Sequence, residues 1–297
     1  MRDLTNKVKE LISEIFQIDK EILNLNFIDH SILDRNYVYT FNIGLDDFII
    51  KISYSREKWE NEIRVLKLLK DLYFVPNIID EGIKYDLRYI IMEKFQGETL
   101  IDEIDKFSKK KQLEMIEKLG ESLDLIHNTG EFNFFSWEEG KKAKLREVRN
   151  YKDKNIIRKL QHCENELVKE GTKLLDKYRP KLIDTKPRLT HKDYSLRNIL
   201  VLESGKLSGI LDYEHTEPED PCLDICSMYH TDILDDELFF EAFKLGYEKI
   251  VEFPINFLLN KNYYMINTGL YLYGRFSEKG LEARDRGLDL IKNSLND

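Results

Sequence analysis

Thr190-His191-Lys192-Asp193-Tyr194-Ser195-Leu196-Arg197-Asn198 is the stretch on which the reading of this chain turns. An aspartate stands two residues after a histidine, and an asparagine follows five residues after that aspartate. The segment Ile199 to Tyr213 then reads as a strand hairpin, turning at Glu203-Ser204-Gly205-Lys206 and returning along Ser208-Gly209-Ile210-Leu211 to Asp212. One loop and one hairpin thus supply three oxygen-bearing side chains, Asp193, Asn198 and Asp212. Singly, each has an ordinary explanation, because a loop aspartate usually forms a turn or caps a helix. The combination is much harder to produce by chance.

The chemistry that needs this spacing is phosphoryl transfer. Asp193 would accept the hydrogen bond, and eventually the proton, of an attacking hydroxyl. Asn198 would aim its amide oxygen at a metal bridging the phosphates, and Asp212 would be the second metal ligand. His191 reads as a loop-orienting residue without a proton-transfer role. Ser195 has no evident activating base and reads as a hydrogen-bonding loop residue with a phosphate contact open to it. No covalent phospho-enzyme is implied.

Upstream, alternation predicts strands near Tyr37 to Phe41 and over Phe48 to Ile52, joined by a turn at Gly44-Leu45-Asp46-Asp47. Ile63, Leu66, Leu69 and Leu72 recur at helical spacing from Glu57 to Leu72, and Pro76 closes that helix. Strands follow at Ile78 to Ile83 and Arg88 to Glu93. Lys51 lies in an apolar strand, where it can contact the α- and β-phosphates if a glutamate of the next helix holds it. Glu62, four residues before Leu66, fits that partner; Glu60 is the alternative. A surface ion pair worth at most about 1 kcal/mol is the plainer reading.

After Gly97 the pattern turns helical, over Lys109 to His127, Ile156 to Lys177 and most of the remainder. A mostly β region, 1–96, is therefore expected to precede a mostly α region, 97–297, with a nucleotide cleft where they meet. The 297 residues are 42% apolar, 11% aromatic and 34% charged, a soluble globular profile. A net charge of −9 argues against nucleic acid and is compatible with a cationic partner. No signal peptide or membrane-spanning run is read, so a cytoplasmic location is expected; separately, a monomer is expected. Cys163, Cys222 and Cys226 lack CxxC spacing and read as reduced, buried thiols rather than metal ligands.

These residues resemble the aminoglycoside phosphotransferase family, kinase-like enzymes that phosphorylate small-molecule hydroxyls. Members read H-G-D-x-x-x-x-N, then I-D-[FWY]-[EG], then D-P-x-x-D-[IL]. Here His191-Lys192-Asp193 runs to Asn198, followed by Leu211-Asp212-Tyr213-Glu214 and Asp220-Pro221-Cys222-Leu223-Asp224-Ile225. The last segment separates this family from protein kinases, whose A-P-E segment and activation loop are missing. The resemblance implies a bilobal protein-kinase-like α+β fold, with a small antiparallel-β N-lobe, a larger helical C-lobe and a cleft between. It implies ATP or GTP as donor, Mg2+ at Asn198 and Asp212, and Asp193 as the catalytic aspartate. Asp224 becomes the buried brace of the loop backbone, Met92 the back of the nucleotide pocket, and the backbones of Glu93 and Phe95 the edge that meets the base.

Two departures stand out. Lys192 replaces the usual glycine of the catalytic loop, and Ser31 to Tyr37, where a phosphate-covering loop belongs, holds no glycine. For the acceptor, Glu214, Glu219, Asp232, Asp235 and Asp236, with Glu217 nearby, read as a negatively lined pocket for a cationic small molecule. Solvated loop charges, with helix capping at Asp235 and Asp236, are the alternative. Tyr271 reads as facing the acceptor from an otherwise core-forming aromatic stretch. An aminoglycoside acceptor, and with it antibiotic resistance, is expected. The competing readings are a metabolic kinase for choline, a sugar or an amino-acid alcohol, and a catalytically silent nucleotide-binding scaffold.

Overall fold

The computed structural model describes residues 2–28, 36–129, 159–160, 162–178, 188–229, 233–276 and 280–296. The chain forms two compact units, Met1–Glu103 with Arg197–Thr216, and Ile104–Leu196 with Glu217–Asp297.

The first unit is built on a five-stranded antiparallel sheet. Strands β1 (Leu25–Ile28), β2 (Asn36–Ile43), β3 (Asp46–Ser53), β4 (Ile78–Lys84) and β5 (Leu87–Glu93) lie in the order β1-β2-β3-β5-β4. Two-residue turns set the register. Gly44 opens the β2–β3 turn at φ 62°, while Tyr85 and Asp86 both take positive φ, 52° and 63°, between β4 and β5. Two consecutive left-handed residues are what a type I′ hairpin needs. Helix α1 (Arg2–Phe16) lays Val8, Leu11 and Ile12, one face of a helix, against Tyr39, Phe41, Ile50, Ile52 and Ile91. Each such buried aliphatic side chain contributes about 1.5–3 kcal/mol.

Helix α2 (Arg56–Leu68) starts where the Ser55 hydroxyl accepts the Lys58 N–H at 3.3 Å. It ends before the expected Leu72. Leu69 already has φ −93° and ψ 5°, and turns fill the stretch before Pro76. The proline therefore does not stop this helix; its own C-cap does. Strand β6 (Glu98–Thr99) then pairs with β8 (Ile199–Val201), which pairs with β9 (Leu207–Ile210). This ladder, together with the Ile210 N–H donated to the Phe74 carbonyl at 2.8 Å, holds the hairpin in the first unit. The short helix α3 (Leu100–Glu103) follows β6.

The second unit is mainly helical. Its described elements are α4 (Lys109–His127), α5 (Glu166–Tyr178), α6 (Cys222–Met228), α7 (Glu237–Tyr247), α8 (Ile255–Arg275) and α9 (Leu281–Asn296), plus a ribbon of β7 (Arg188–Thr190) and β10 (Glu217–Glu219). Helix α4 has the predicted bounds. The helix expected over Ile156 to Lys177 is not continuous. Its early part lies outside the described residues, residues 163–165 are non-helical, and the Asn165 carboxamide accepts the Leu167 N–H at 3.0 Å to start α5. Helices α4 and α7 cross at glycines. A Cβ on Gly120 would fall 1.9 Å from the Phe243 carbonyl oxygen, and one on Gly246 1.8 Å from that of Glu117. Among the described residues no helix is long and apolar enough to cross a membrane.

Candidate active site

In the first unit the site grows from the alternation of β3. Ile50 and Ile52 point to the core under α1, so Lys51 between them must point to the opposite face. There its ammonium meets Glu62 of α2 at 2.9 Å, Asp212 at 3.0 Å and Glu214 at 3.0 Å. Glu60 is turned away and pairs with Arg56 at 2.7 Å. Burial works against the Lys51 charge, but the Asp212, Glu62 and Glu214 carboxylates outweigh it and raise its pKa. Burial likewise pushes the Glu62 carboxyl up, to about 7, against the pull of Lys51. Glu214 is also desolvated, yet Lys51 and Lys58 together hold it well below the usual carboxylate range.

Glu214 has two further neighbours that no sequence pattern announced. Asn36, opening β2, donates to it at 2.6 Å, and Lys58 of α2 forms an ion pair with it. Asn61 of α2 donates to the carbonyls of Glu214 at 3.3 Å and Thr216 at 2.8 Å. Asp212 sits in the left-handed region, φ 67° and ψ 64°, at the head of a 3-10 turn spanning Tyr213–His215. At the hairpin's base, the Leu211 N–H donates to the Asn198 carbonyl at 2.8 Å, so Asn198 and the residue before Asp212 are tied together. An amide oxygen and a carboxylate at this base are hard oxygen donors. Two protein ligands suit Mg2+, which keeps water and phosphate oxygens in its remaining positions. The donor set therefore fits the expected ion.

On β5, Met92 is 8% exposed, and the Glu93 carboxylate is exposed and accepts from the Asn77 amide at 3.0 Å. Phe95 lies over β9, where a Cβ on Gly209 would meet its ring at 2.2 Å. Gly209 is thus required for close approach. Of the expected phosphate-covering loop, residues 31–35 lie outside the described residues, and Asn36 and Tyr37 begin β2.

In the second unit, β7 leads into the loop that bears Asp193. Asp224, fully buried on α6, accepts the His191 N–H at 2.7 Å and the Lys192 N–H at 2.6 Å. Asp224 is in turn bonded to His127 Nε2 at 3.0 Å, and His127 Nδ1 to the Tyr247 hydroxyl at 2.7 Å. The His191 ring accepts the Asp193 N–H at 3.3 Å. Tyr194, also fully buried, donates to the Leu119 carbonyl at 2.8 Å and anchors the loop to α4. Ser195 is fully buried. Sequence reasoning missed His127, Tyr194 and Tyr247. A signal existed for His127, a polar residue four positions after Leu123 on the buried face of α4.

Of the residues expected to face an acceptor, the described carboxylates are engaged internally. Glu219 is 3.6 Å from Lys192, Asp235 is 2.9 Å from Arg286, and Asp236 is 2.6 Å from Lys109. Asp236 also caps α7 through the Leu238 N–H at 2.9 Å. Tyr271 is half-buried on α8, and Asp232 lies outside the described residues. Cys222 and Cys226 are buried and Cys163 is half-buried. Burial pushes the thiols of Cys222 and Cys226 well up, and among the described residues no group of three or more His, Cys, Asp or Glu is arranged to hold a metal.

The model of the phosphotransferase enzyme family matches residues 31–255. The chain belongs to that family and is a phosphotransferase. No curated protein matches the sequence. Solved structures do. A thermostable mutant of aminoglycoside phosphotransferase APH(4)-Ia, in a ternary complex with AMP-PNP and hygromycin B, is 14% identical with a TM-score of 0.71, over 98% of each chain. Spectinomycin phosphotransferase APH(9)-Ia, in complex with ADP and spectinomycin, is 15% identical with a TM-score of 0.71, over 97% of this chain and 93% of that one. ADP-bound aminoglycoside phosphotransferase APH(2'')-Ib is 16% identical with a TM-score of 0.61, over 96% of each. At such identities the likeness shows the fold, the kinase-like α+β fold expected from the sequence.

Proposed function

We propose that this chain moves the γ-phosphoryl group of ATP or GTP onto a hydroxyl of a small molecule, an aminoglycoside. The observation that carries the reading is the buried Lys51 ammonium held between Glu62 at 2.9 Å and Asp212 at 3.0 Å. Structural lysines are seldom buried among three carboxylates, whereas a phosphate-contacting lysine needs such a frame. In this reading Lys51 offsets charge on the nucleotide phosphates, and Glu62 fixes the direction of its stem. Met92 backs the base, and the main chain at Glu93 and Phe95 meets its edge. Asn198 and Asp212 hold Mg2+, which when bound neutralises phosphate charge. Asp193 aligns the acceptor hydroxyl and takes its proton, while His191 and Asp224 fix the backbone from which it projects. Support for the donor and acceptor classes comes from the nucleotide and antibiotic ligands of the structurally similar enzymes.

One observation favours a second reading for the acceptor. Glu214, Glu219, Asp235 and Asp236 each have an internal cation partner, which leaves less negative field for a polycation. A metabolic alcohol with a single positive charge or no net charge fits that better. Purified protein incubated with ATP or GTP, Mg2+ and a panel of aminoglycosides, macrolides, choline and homoserine separates the two. Turnover of an aminoglycoside supports the first reading. Turnover of choline or homoserine alone replaces it with the second, and no turnover of any hydroxyl compound removes both.

A further inference from the structure

Lys192 stands where the family's H-G-D pattern has glycine, and its backbone shows why glycine suits the place. Its φ is 71°, in the left-handed region that a side chain disfavours. The loop adopts this conformation because Asp224 takes the N–H groups of His191 and Lys192 together. A lysine that merely tolerated the strain would extend into water. Instead its side chain is 2% exposed, ion-paired with Glu217 and 3.6 Å from Glu219. Those glutamates are alternate residues of β10, so both project from one face of that strand. Strand β10 pairs with β7, the strand that delivers the loop, in the register Glu217 to Thr190 and Glu219 to Arg188. The chain therefore leaves β7, turns through a left-handed residue, and sends that residue's side chain back onto β7's own partner.

We propose that Lys192 is a positioning residue for Asp193, pinning the loop to β10 through Glu217 and Glu219 while Asp224 holds its backbone from α6. Two anchors acting on adjacent atoms fix the direction in which the next residue, Asp193, projects. The peptide after Lys192 is held through the Asp193 N–H, which the His191 ring accepts at 3.3 Å, and the side-chain clasp adds a restraint from β10 on the same turn. The clasp also gives Glu217 and Glu219 a structural task and compensates two carboxylates close to the loop. The proposal rests on the reading of Asp193 as the base.

The experiment compares wild type with Lys192→Met, Glu219→Gln, their double variant and Lys192→Arg. Each is followed by steady-state kinetics and by hydrogen exchange at the amides of positions 191 and 192. The clasp requires Lys192→Met to lower kcat about tenfold or more with the nucleotide KM within about twofold. Lys192→Arg should keep most of the activity, and the double variant should be no worse than Lys192→Met alone, because Lys192→Met already removes the arm that Glu219→Gln breaks. Amide exchange in the loop should speed up about tenfold in Lys192→Met while α4 and α8 stay protected. A rise in nucleotide KM at constant kcat, or additive losses in the double variant, would instead make Lys192 a direct ligand contact and overturn the clasp. Should Lys192→Met fail to fold, Glu219→Gln, which breaks the Glu219 arm and leaves Glu217 in place, carries the comparison with a smaller expected loss: kcat lowered and loop exchange faster at constant nucleotide KM support the clasp, and no change in either overturns it. Should wild type turn over no substrate, the functional reading falls, and the exchange rates alone decide the clasp: unchanged protection overturns it.

Discussion

At the scale of single residues, the proposed chemistry turns on Asp193. Asp193→Ala should reduce phosphoryl transfer by about two to four orders of magnitude, the usual worth of a general base. Nucleotide affinity measured by calorimetry should stay near the wild-type value; an unchanged rate would remove the mechanism. Asp124 makes a separate pH prediction. Burial pushes its carboxyl up to about 7, only partly opposed by Asn128 and Arg188. The folded protein thus holds a proton that the unfolded chain has released, so the stability this supplies is full below about pH 4 and fades as pH rises toward 7. Asp124→Asn cannot lose that proton. Urea unfolding should find it more stable than wild type by about 1–3 kcal/mol at pH 8, with the gap closing near pH 4. A gap independent of pH would show that Asp124 is not the group titrating. The sequence marked Asp193, Asn198, Asp212, Lys51 and Glu62 because the proposed chemistry constrains their spacing. Asp124 and His127 escaped because burial, which gives them their properties, comes from helices remote in sequence.

At the scale of elements, periodicity read the strands and α4 well and misread where two helices end. A 3.6-residue pattern continues through Leu69, which is buried, and Leu72, which is half-buried, yet the backbone has already left the helix at Leu69. Burial and helicity coincide often enough to mislead. The β4–β5 turn carried no glycine to announce it, and Tyr85 and Asp86 accept left-handed backbone there because the sheet demands the tight turn. The crossing of α4 and α7 was equally silent, since an isolated glycine in a helix does not say what approaches it. Gly246→Ala should destabilise the protein by about 1–3 kcal/mol or more, because its methyl group would overlap the Glu117 carbonyl. Chemical denaturation checks this, and a variant as stable as wild type would mean that α4 and α7 can separate without cost.

At the scale of the whole molecule, charge and acceptor are linked. With a net charge of −9, an aminoglycoside acceptor should be drawn in electrostatically. Its kcat/KM is expected to fall about tenfold as salt is raised from about 50 to 500 mM. A flat response would favour the weakly charged alcohol. The sequence by itself determined the order of β and α regions, the candidate catalytic loop and the family, because strand and helix periods and the spacing of the motif residues are local properties of the chain. Only the tertiary structure decided that the hairpin 197–216 belongs with the first unit, through its ladder to β6. Only it decided that Glu62 rather than Glu60 meets Lys51, and that Glu214, Glu219, Asp235 and Asp236 are already paired. Those outcomes depend on which distant side chains reach each other, and Lys192 is the clearest case. Its unusual place was legible in the loop, but its partners lie one strand away, beyond the reach of any local pattern.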